Sequence, residues 1–350
     1  MLKRKYTNLG ELSGYVKILL MQKGFNEDQI NRIYNKIGST QNFQKFVQLT
    51  QEEPLIPFVT KYHFNLEYIT KIASHYAGNI ALKALLESAR NKKLHFIMQK
   101  FNSMQITKIL ACDGGIKNFE ALIDIMCYDS ELNNFIKATF NVEQITKILG
   151  HAGGAKNLSG YLDMSLNNEP ECIELKSKLD INVITQLLSQ IGGSLVLQGL
   201  LDMIKTKPAI WSKIKAFNSF QIGKILSTDS GGNKKLAFLS DLIENNIDSW
   251  DLFVRTIGAD KIAERFACRQ LDLLESEIKM YAISSQDVAI SSNEDLERDI
   301  SSIDLRNLKK SRFTEPEPNT QNNLREDFFA GNDAPVINIQ ESHTPLQEQR

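Results

Sequence analysis

The stretch Phe101–Leu122, FNSMQITKILACDGGIKNFEAL, contains the pattern from which most of this chain is built. Asn102 is a favourable N-cap, because its side-chain oxygen accepts a hydrogen bond from a free backbone N–H of a new helix. Gln105, three residues later, completes a capping box, and Phe101 and Ile106 have the spacing of a hydrophobic staple. The stretch therefore predicts a helix that begins directly after Asn102.

Two glycines follow this helix, and a second apolar pattern follows them. Gly114 and Gly115 predict its end, because glycine adopts the left-handed conformation without a Cβ clash. The pattern recurs with starts separated by 39, 37, 39, 39 and 38 residues. A period of this size with only helix signals predicts an all-α solenoid of 37–39-residue repeats, each with two to three helices. The other copies begin at Phe25, Phe64, Phe140, Leu179 and Phe217.

Each repeat has a third portion, for which we predict a short third helix. Pro208 stands where a first helical turn tolerates proline. Trp211 and Trp250 fall at nearly the same place in their repeats, where earlier copies have Phe96 and Phe135. A recurring aromatic of this kind indicates core packing, and the alternative is a stacking platform for bases.

The repeats divide the chain into four predicted regions. Residues 1–24 form an N-terminal capping half-repeat, 25–254 six helical repeats, 255–283 a C-terminal capping helix, and 284–350 a disordered acidic tail. The tail has 7 Lys+Arg and 13 Asp+Glu, a net charge of −6, which leaves +5 on the remaining residues of a chain with net charge −1. A mildly basic body is compatible with binding a polyanion.

Composition narrows the class of protein further. Hydrophobic residues make up 42% of the 350 residues, and no apolar run predicts a signal peptide or a membrane span. The four cysteines show no paired spacing, which indicates reduced thiols in a reducing compartment. They are Cys112, Cys127, Cys172 and Cys268.

Two columns of equivalent positions carry basic residues. One column lies late in the first helix of each repeat, where pairing with the helix dipole or simple solubility would also explain it. It contains Arg32, Lys71, Lys108, Lys147, Gln186 and Lys224. The other lies two residues after the glycines, where a lysine beside the N-terminus of a helix is typical of phosphate binding. It contains Lys117, Lys156 and Lys234, and it is interrupted by Gln41, Ile80 and Leu195.

A third column is the pair of residues just before the glycines. The pair differs in every copy although its surroundings recur. This pattern favours a surface that reads something different with each repeat, or a loop tip that nothing constrains. The pairs are Lys36-Ile37, His75-Tyr76, Cys112-Asp113, His151-Ala152, Gln190-Ile191 and, with one inserted residue, Thr228-Asp229.

The motif F-N-x-x-Q-I-x-K-I-L-x-x-x-G-G-x-K-N-L resembles the repeat of transcription activator-like effectors and their bacterial relatives. The resemblance covers the first half of each copy between about residues 25 and 250. It implies a right-handed superhelix that wraps double-stranded DNA, with the second loop residue facing a base. The implied base-facing residues are Ile37, Tyr76, Asp113, Ala152, Ile191 and Asp229; those that brace the loop are Lys36, His75, Cys112, His151, Gln190 and Thr228. The implied phosphate-binding residues are Gly114, Gly115, Lys117, Gly153, Gly154, Lys156, Gly192, Gly193, Gly231 and Gly232.

These observations lead to one function hypothesis and one alternative. The first is a monomeric protein that binds double-stranded DNA, and the resemblance implies a bacterial effector that acts in the nucleus of a host cell. The alternative is a protein-binding α-solenoid similar to armadillo repeats. An enzyme is the weakest reading, because no nucleophile–base arrangement or P-loop appears and we expect no cofactor. We also expect no metal site, since four histidines show no ligand spacing: His63, His75, His95 and His151.

Overall fold

The computed structural model describes residues 14–52, 55–166, 170–227 and 232–290. All regular secondary structure in these ranges is helical, which confirms the predicted all-α class, and the ranges belong to one compact unit. The helices are α1 (Gly14–Gln22), α2 (Glu27–Lys36), α3 (Thr40–Glu52), α4 (Leu55–Lys61), α5 (Leu66–Ala73), α6 (Gly78–Arg90), α7 (Lys93–Ile97), α8 (Ser103–Leu110), α9 (Gly115–Cys127), α10 (Glu131–Thr139), α11 (Val142–Leu149), α12 (Gly154–Leu166), α13 (Pro170–Lys178), α14 (Ile181–Leu188), α15 (Gly193–Thr206), α16 (Pro208–Ile214), α17 (Ser219–Leu226), α18 (Gly232–Glu244), α19 (Trp250–Ile257), α20 (Ala259–Ala267) and α21 (Leu271–Ile290).

Four of the six predicted first helices begin with a complete capping box. The Asn102 side chain accepts from the Gln105 backbone N–H at 2.9 Å, and the Gln105 side chain accepts from the Asn102 backbone N–H at 2.9 Å. Phe101 and Ile106 are both buried, as a hydrophobic staple requires. The same reciprocal pair of hydrogen bonds occurs at Asn26, Asn141 and Asn218.

Each repeat contains three helices, which confirms the predicted short third helix. The first helices are α2, α5, α8, α11, α14 and α17, and α20 follows them in the same arrangement. Each first helix contacts the first helix of the next repeat, and each second helix from α3 to α18 likewise contacts its successor. The third helices are α4, α7, α10, α13, α16 and α19.

The apolar positions of all three helices meet in one core. Trp211 and Trp250 are 2% and 0% exposed, which confirms that they are core residues. The prediction for the equivalent Phe96 was wrong, because its side chain is 51% exposed. α7 is only five residues long, and Ile97, the residue after Phe96, takes the buried position instead.

The C-terminal cap is longer than predicted. α21 continues to Ile290 and so passes the predicted start of the tail at Ser284. Leu274 and Ile278 anchor α21, since both side chains are fully buried and α21 contacts α19 and α20. The predicted N-terminal cap falls partly, and the predicted tail mostly, outside the described residues. No helix within the described ranges has the length and apolar character to cross a membrane.

Candidate nucleic-acid interface

The two glycines of each repeat have different structural roles. Gly114, Gly153 and Gly192 adopt positive φ angles of +77°, +76° and +74°, in the left-handed region that favours glycine. Gly115 is instead the first residue of α9 and is buried. A Cβ atom at Gly115 would collide with the carbonyl oxygen of Leu110, so this position needs glycine for close packing of α9 on α8.

The second glycines do not offer their backbone N–H groups to a phosphate, as the resemblance implied. Gly115 N–H donates to Cys112 O at 2.9 Å, Gly154 N–H to His151 O at 3.1 Å, and Gly193 N–H to Gln190 O at 3.1 Å. Because each group is used inside its own loop, these three predicted phosphate ligands are corrected to packing residues. Gly232 is likewise buried, and Gly231 lies outside the described residues.

A buried asparagine uses further groups of the following loop. Asn118, which is 1% exposed, donates from Nδ2 to Leu149 O at 2.7 Å and to His151 O at 2.8 Å. Its Oδ1 accepts from Ala155 N–H at 2.8 Å, so one amide joins both ends of the loop in the next repeat. This side chain therefore fixes the position of the His151-Ala152 tip.

Asn157 repeats this arrangement one unit later. Its Nδ2 donates to Leu188 O at 2.8 Å and to Gln190 O at 2.5 Å, and its Oδ1 accepts from Ser194 N–H at 3.3 Å. Sequence reasoning did not single out these asparagines, although both belong to the recurring Lys-Asn motif. That recurrence was the signal that could have identified them.

The first variable pair does not present its second residue to a ligand. Ile37 is fully buried and continues the hydrogen bonding of α2, donating its N–H to Ile33 O at 2.9 Å. α2 has ten residues where α8 has eight, so this repeat turns the side chain inward. The prediction that Ile37 faces a base is therefore wrong.

The other described tips lie at the surface. Tyr76 and Ile191 are 77% and 64% exposed, Asp113 is exposed, and Ala152 is half-buried. Thr228 and Asp229 lie outside the described residues. The contact of these tips with bases stays a prediction.

The residues predicted to brace the loops have different surroundings. Cys112 Sγ lies 3.1 Å from Ile109 O and accepts from Asn118 Nδ2 at 3.3 Å, which ties it to its own loop.

Burial and Lys36 lower the pKa of His75, against the influence of Asp113. Burial and two lysines, Lys108 and Lys147, lower the pKa of His151. Lys36 is exposed, while Gln190 is half-buried and its carbonyl oxygen accepts from Asn157.

The basic column of the first helices has paired ends and an unpaired middle. Arg32 forms a two-pronged ion pair with Glu67, at 2.8 and 2.5 Å, which lowers the pKa of that carboxyl group. Lys224 lies 3.6 Å from Glu264. The lysines between them have no ion-pair partner within the described residues and are exposed: Lys71, Lys108 and Lys147.

The lysines in and beside the third helix α16 have ion-pair partners, unlike the middle lysines of the basic column. Lys213 pairs with Asp251 at 2.6 Å, and Lys215 pairs with Glu174 at 3.0 Å. Lys207, just before α16, pairs with Glu244 at 2.7 Å. Positive charge is thus paired with carboxylates around α16 and left unpaired on the first helices of the middle repeats.

A groove of about 820 Å³ lies along the first helices of the N-terminal repeats. No Asp or Glu lines it, and its charged side chains are Arg32, Lys36, Lys71 and Lys108. The lining consists of Arg32, Asn35, Lys36, Tyr68, Thr70, Lys71, Ser74, His75, Tyr76, Met104, Thr107, Lys108, Ala111 and Gly150. The groove therefore brings together the first basic column and the variable pair of the second repeat, which are distant in sequence.

The second basic column lies apart from this groove. Lys117 and Lys156 are exposed in the first turns of α9 and α12, and neither lines the groove. Lys234 is also exposed, in the first turn of α18. A role for these lysines at phosphates remains a prediction.

The described residues contain no group of three or more His, Cys, Asp or Glu side chains that could hold a metal ion. Their cysteines are all free thiols. Comparison of the chain with known family models and with curated proteins found no match.

Proposed function

We propose that this protein binds nucleic acid along the face formed by its first helices and variable loops, and that double-stranded DNA is the ligand. The repeats stack as a right-handed α-solenoid in this proposal, so the face continues from one repeat to the next. The resemblance of the loop motif to transcription activator-like effectors supports duplex DNA as the form of the ligand.

One observation carries the proposal: the groove of about 820 Å³ contains four basic side chains and no acidic one. A polyanion that enters the groove gains attraction from Lys36, Lys71 and Lys108. The carboxylate of Glu67 beside the groove is paired with Arg32, which offsets its negative charge. Neutralising phosphates in this way releases counterions and supplies most of the affinity of non-specific binding.

The test is titration of a labelled random-sequence duplex with the full chain over a series of salt concentrations. The Lys71→Ala plus Lys108→Ala variant removes two groove charges, and we expect a salt slope smaller by up to about two units. Lys45→Ala plus Lys83→Ala is the matched control, because it removes two exposed lysines from the second helices α3 and α6. We expect the control to retain most of the affinity.

Two results would refute the proposal. One is an intact protein that binds no duplex at tens of micromolar in about 50 mM salt, weaker than ordinary non-specific binding. The other is an equal loss of affinity in both double variants, since only total charge would then matter.

A protein-binding scaffold is the second candidate, and exposed apolar tips favour it. Tyr76 and Ile80 are 77% and 51% exposed, and the equivalent Ile191 and Leu195 are 64% and 53% exposed. Exposed apolar groups of this kind occur at protein interfaces. Ile191→Ser plus Leu195→Ser would abolish such binding but leave the salt-dependent binding of DNA intact.

A further inference from the structure

Tyr76 is held in the groove with most of its surface open. Gly38 has a φ angle of +95°, and a Cβ atom there would lie 2.7 Å from Cδ2 and 3.0 Å from Cε2 of Tyr76. The tyrosine ring therefore packs against the backbone of the preceding loop, which restricts its position. Because the side chain is still 77% exposed, much of the ring is free to contact a ligand.

Lysines line the groove together with this ring. Lys36 and Lys71 line the groove with Tyr76, and burial and Lys36 lower the pKa of the adjacent His75 against the influence of Asp113. Tyr68 and Met104 add apolar surface to the same lining. An aromatic ring among unpaired cations suits a ligand that has both a planar apolar face and negative charge.

From these contacts we propose that the groove is a nucleotide-binding subsite, in which an unpaired base stacks on Tyr76 and adjacent phosphates bind Lys36 and Lys71. This inference rests on the proposed function and specifies the form of nucleic acid at this position. A base within a duplex has its faces covered by its neighbours, so stacking on Tyr76 requires a single strand, an open end or a mismatch. At Tyr76 the groove accordingly takes an unpaired base, at an open end or a mismatch of a duplex or in a single strand, in preference to a paired one.

The experiment compares three labelled probes with the full chain: an oligothymidylate of about 12 nucleotides, an abasic strand of equal length, and a closed hairpin duplex. The thymidine and abasic strands carry the same phosphates and differ in their bases. The protein variants are Tyr76→Ala, Tyr76→Phe and Tyr76→Trp. Tyr15→Ala is the matched control, since Tyr15 is 70% exposed on α1 and does not line the groove.

We expect Tyr76→Ala to weaken binding of the oligothymidylate by roughly fivefold to a hundredfold, the effect of losing one base–aromatic stack. Binding of the abasic strand should not change, and Tyr76→Phe, Tyr76→Trp and Tyr15→Ala should all keep their affinity for the oligothymidylate. Because Tyr76 is exposed, unfolding by urea should be the same in all variants.

The outcomes separate this inference from the function on which it rests. If Tyr76→Ala binds the oligothymidylate as tightly as the unchanged protein, or loses affinity equally for the abasic strand, stacking is refuted although nucleic-acid binding stands. If the unchanged protein binds none of the three probes at low salt, both proposals fail.

Discussion

At the residue scale, the asparagines of the second helices set the positions of the loop tips. Each joins a carbonyl group at the end of one first helix to an N–H group at the start of the next second helix. The N–H groups of a first helical turn have no partner within their own helix, so a side chain must satisfy them where water is excluded.

The first prediction concerns Asn118. We expect Asn118→Ala to lower the free energy of unfolding by roughly 2–4 kcal/mol, because it leaves Leu149 O, His151 O and Ala155 N–H without this partner. Urea unfolding followed by circular dichroism measures the change. Asn134→Ala, at an exposed position on α10, is the control and should cost less than about 0.5 kcal/mol. If Asn118→Ala and Asn134→Ala cost the same free energy of unfolding, the hydrogen bonds of Asn118 to the next loop contribute no stability.

The second prediction concerns two loop histidines, His75 and His151, whose pKa values both lie below the ordinary value of 6.5. The unfolded chain therefore binds more protons than the folded chain at pH values between the lowered pKa values of the folded state and the pKa of the unfolded state. Stability is complete above the unfolded pKa and decreases as the pH falls through the lowered folded values.

We expect the urea concentration at the unfolding midpoint to decrease as the pH is lowered from about 7.5 to about 5.5. The His75→Gln plus His151→Gln variant should show a smaller fall, since glutamine does not titrate. Carboxyl groups with lowered pKa values, such as that of Glu67, also stabilise the folded protein, but this contribution is lost only at more acidic pH. A double variant with the full pH dependence would contradict this assignment.

At the element scale, four first helices begin with a capping box whose glutamine also contacts the next first helix. Gln105 accepts from its own N-cap residue and donates to Glu143 at 2.9 Å, and Gln221 donates to Asp260 at 2.7 Å. A residue that stabilises a helix locally thus also joins it to the next repeat. The recurrence of Gln at this position has two causes, of which only the first is local.

The third prediction belongs to this scale and concerns the staple. Phe101→Ala removes a side chain that is 1% exposed, so we expect a loss of roughly 3–5 kcal/mol in the free energy of unfolding. His151→Ala, at an exposed tip, should cost less than about 0.5 kcal/mol. Urea unfolding measures both, and a more harmful change at the tip would contradict the packing described above.

At the scale of the whole molecule, charge is distributed unevenly along the chain. Residues 291–350 contain 7 Lys+Arg and 12 Asp+Glu, so the remaining 290 residues carry 34 basic and 30 acidic side chains, a net of +4. Within the described part, acids of neighbouring repeats pair with Arg32 and Lys224 but not with the lysines between them. The absence of acid partners for individual lysines is therefore a better indication of where a polyanion could bind than the net charge of the chain.

The fourth prediction is deletion of residues 291–350. We expect the shortened chain to bind duplex DNA about two- to tenfold more tightly at about 50 mM salt, because five net negative charges are removed. The difference should disappear as salt screens the charges. Titration at several salt concentrations tests this, and equal affinity at every concentration would show that the segment has no electrostatic effect on binding.

The helices and their starts could be predicted from sequence because their signals are local. A capping box spans four residues, a staple six, and a glycine break one turn, so Asn102, Gln105 and Phe101 already carry the information. The candidate site was only partly predictable. The basic column and the variable pair were found as separate patterns, whereas the groove that unites them depends on how α2, α5 and α8 pack.

By itself, the sequence determined the all-α class, the three-helix repeat and the buried tryptophans, since each follows from short-range spacing and apolar periodicity. Only the tertiary structure decided that Ile37 turns inward, that Gly115 serves packing and that Asn118 holds the next loop. It also decided which cations lack an acid partner. The contacts of Asn118 and of the paired cations join atoms about one repeat apart in the chain, and no local pattern specifies which of those atoms come within hydrogen-bond distance. Ile37 and Gly115 contact their own repeat, but the length of α2 and the close approach of α9 to α8 decide their roles.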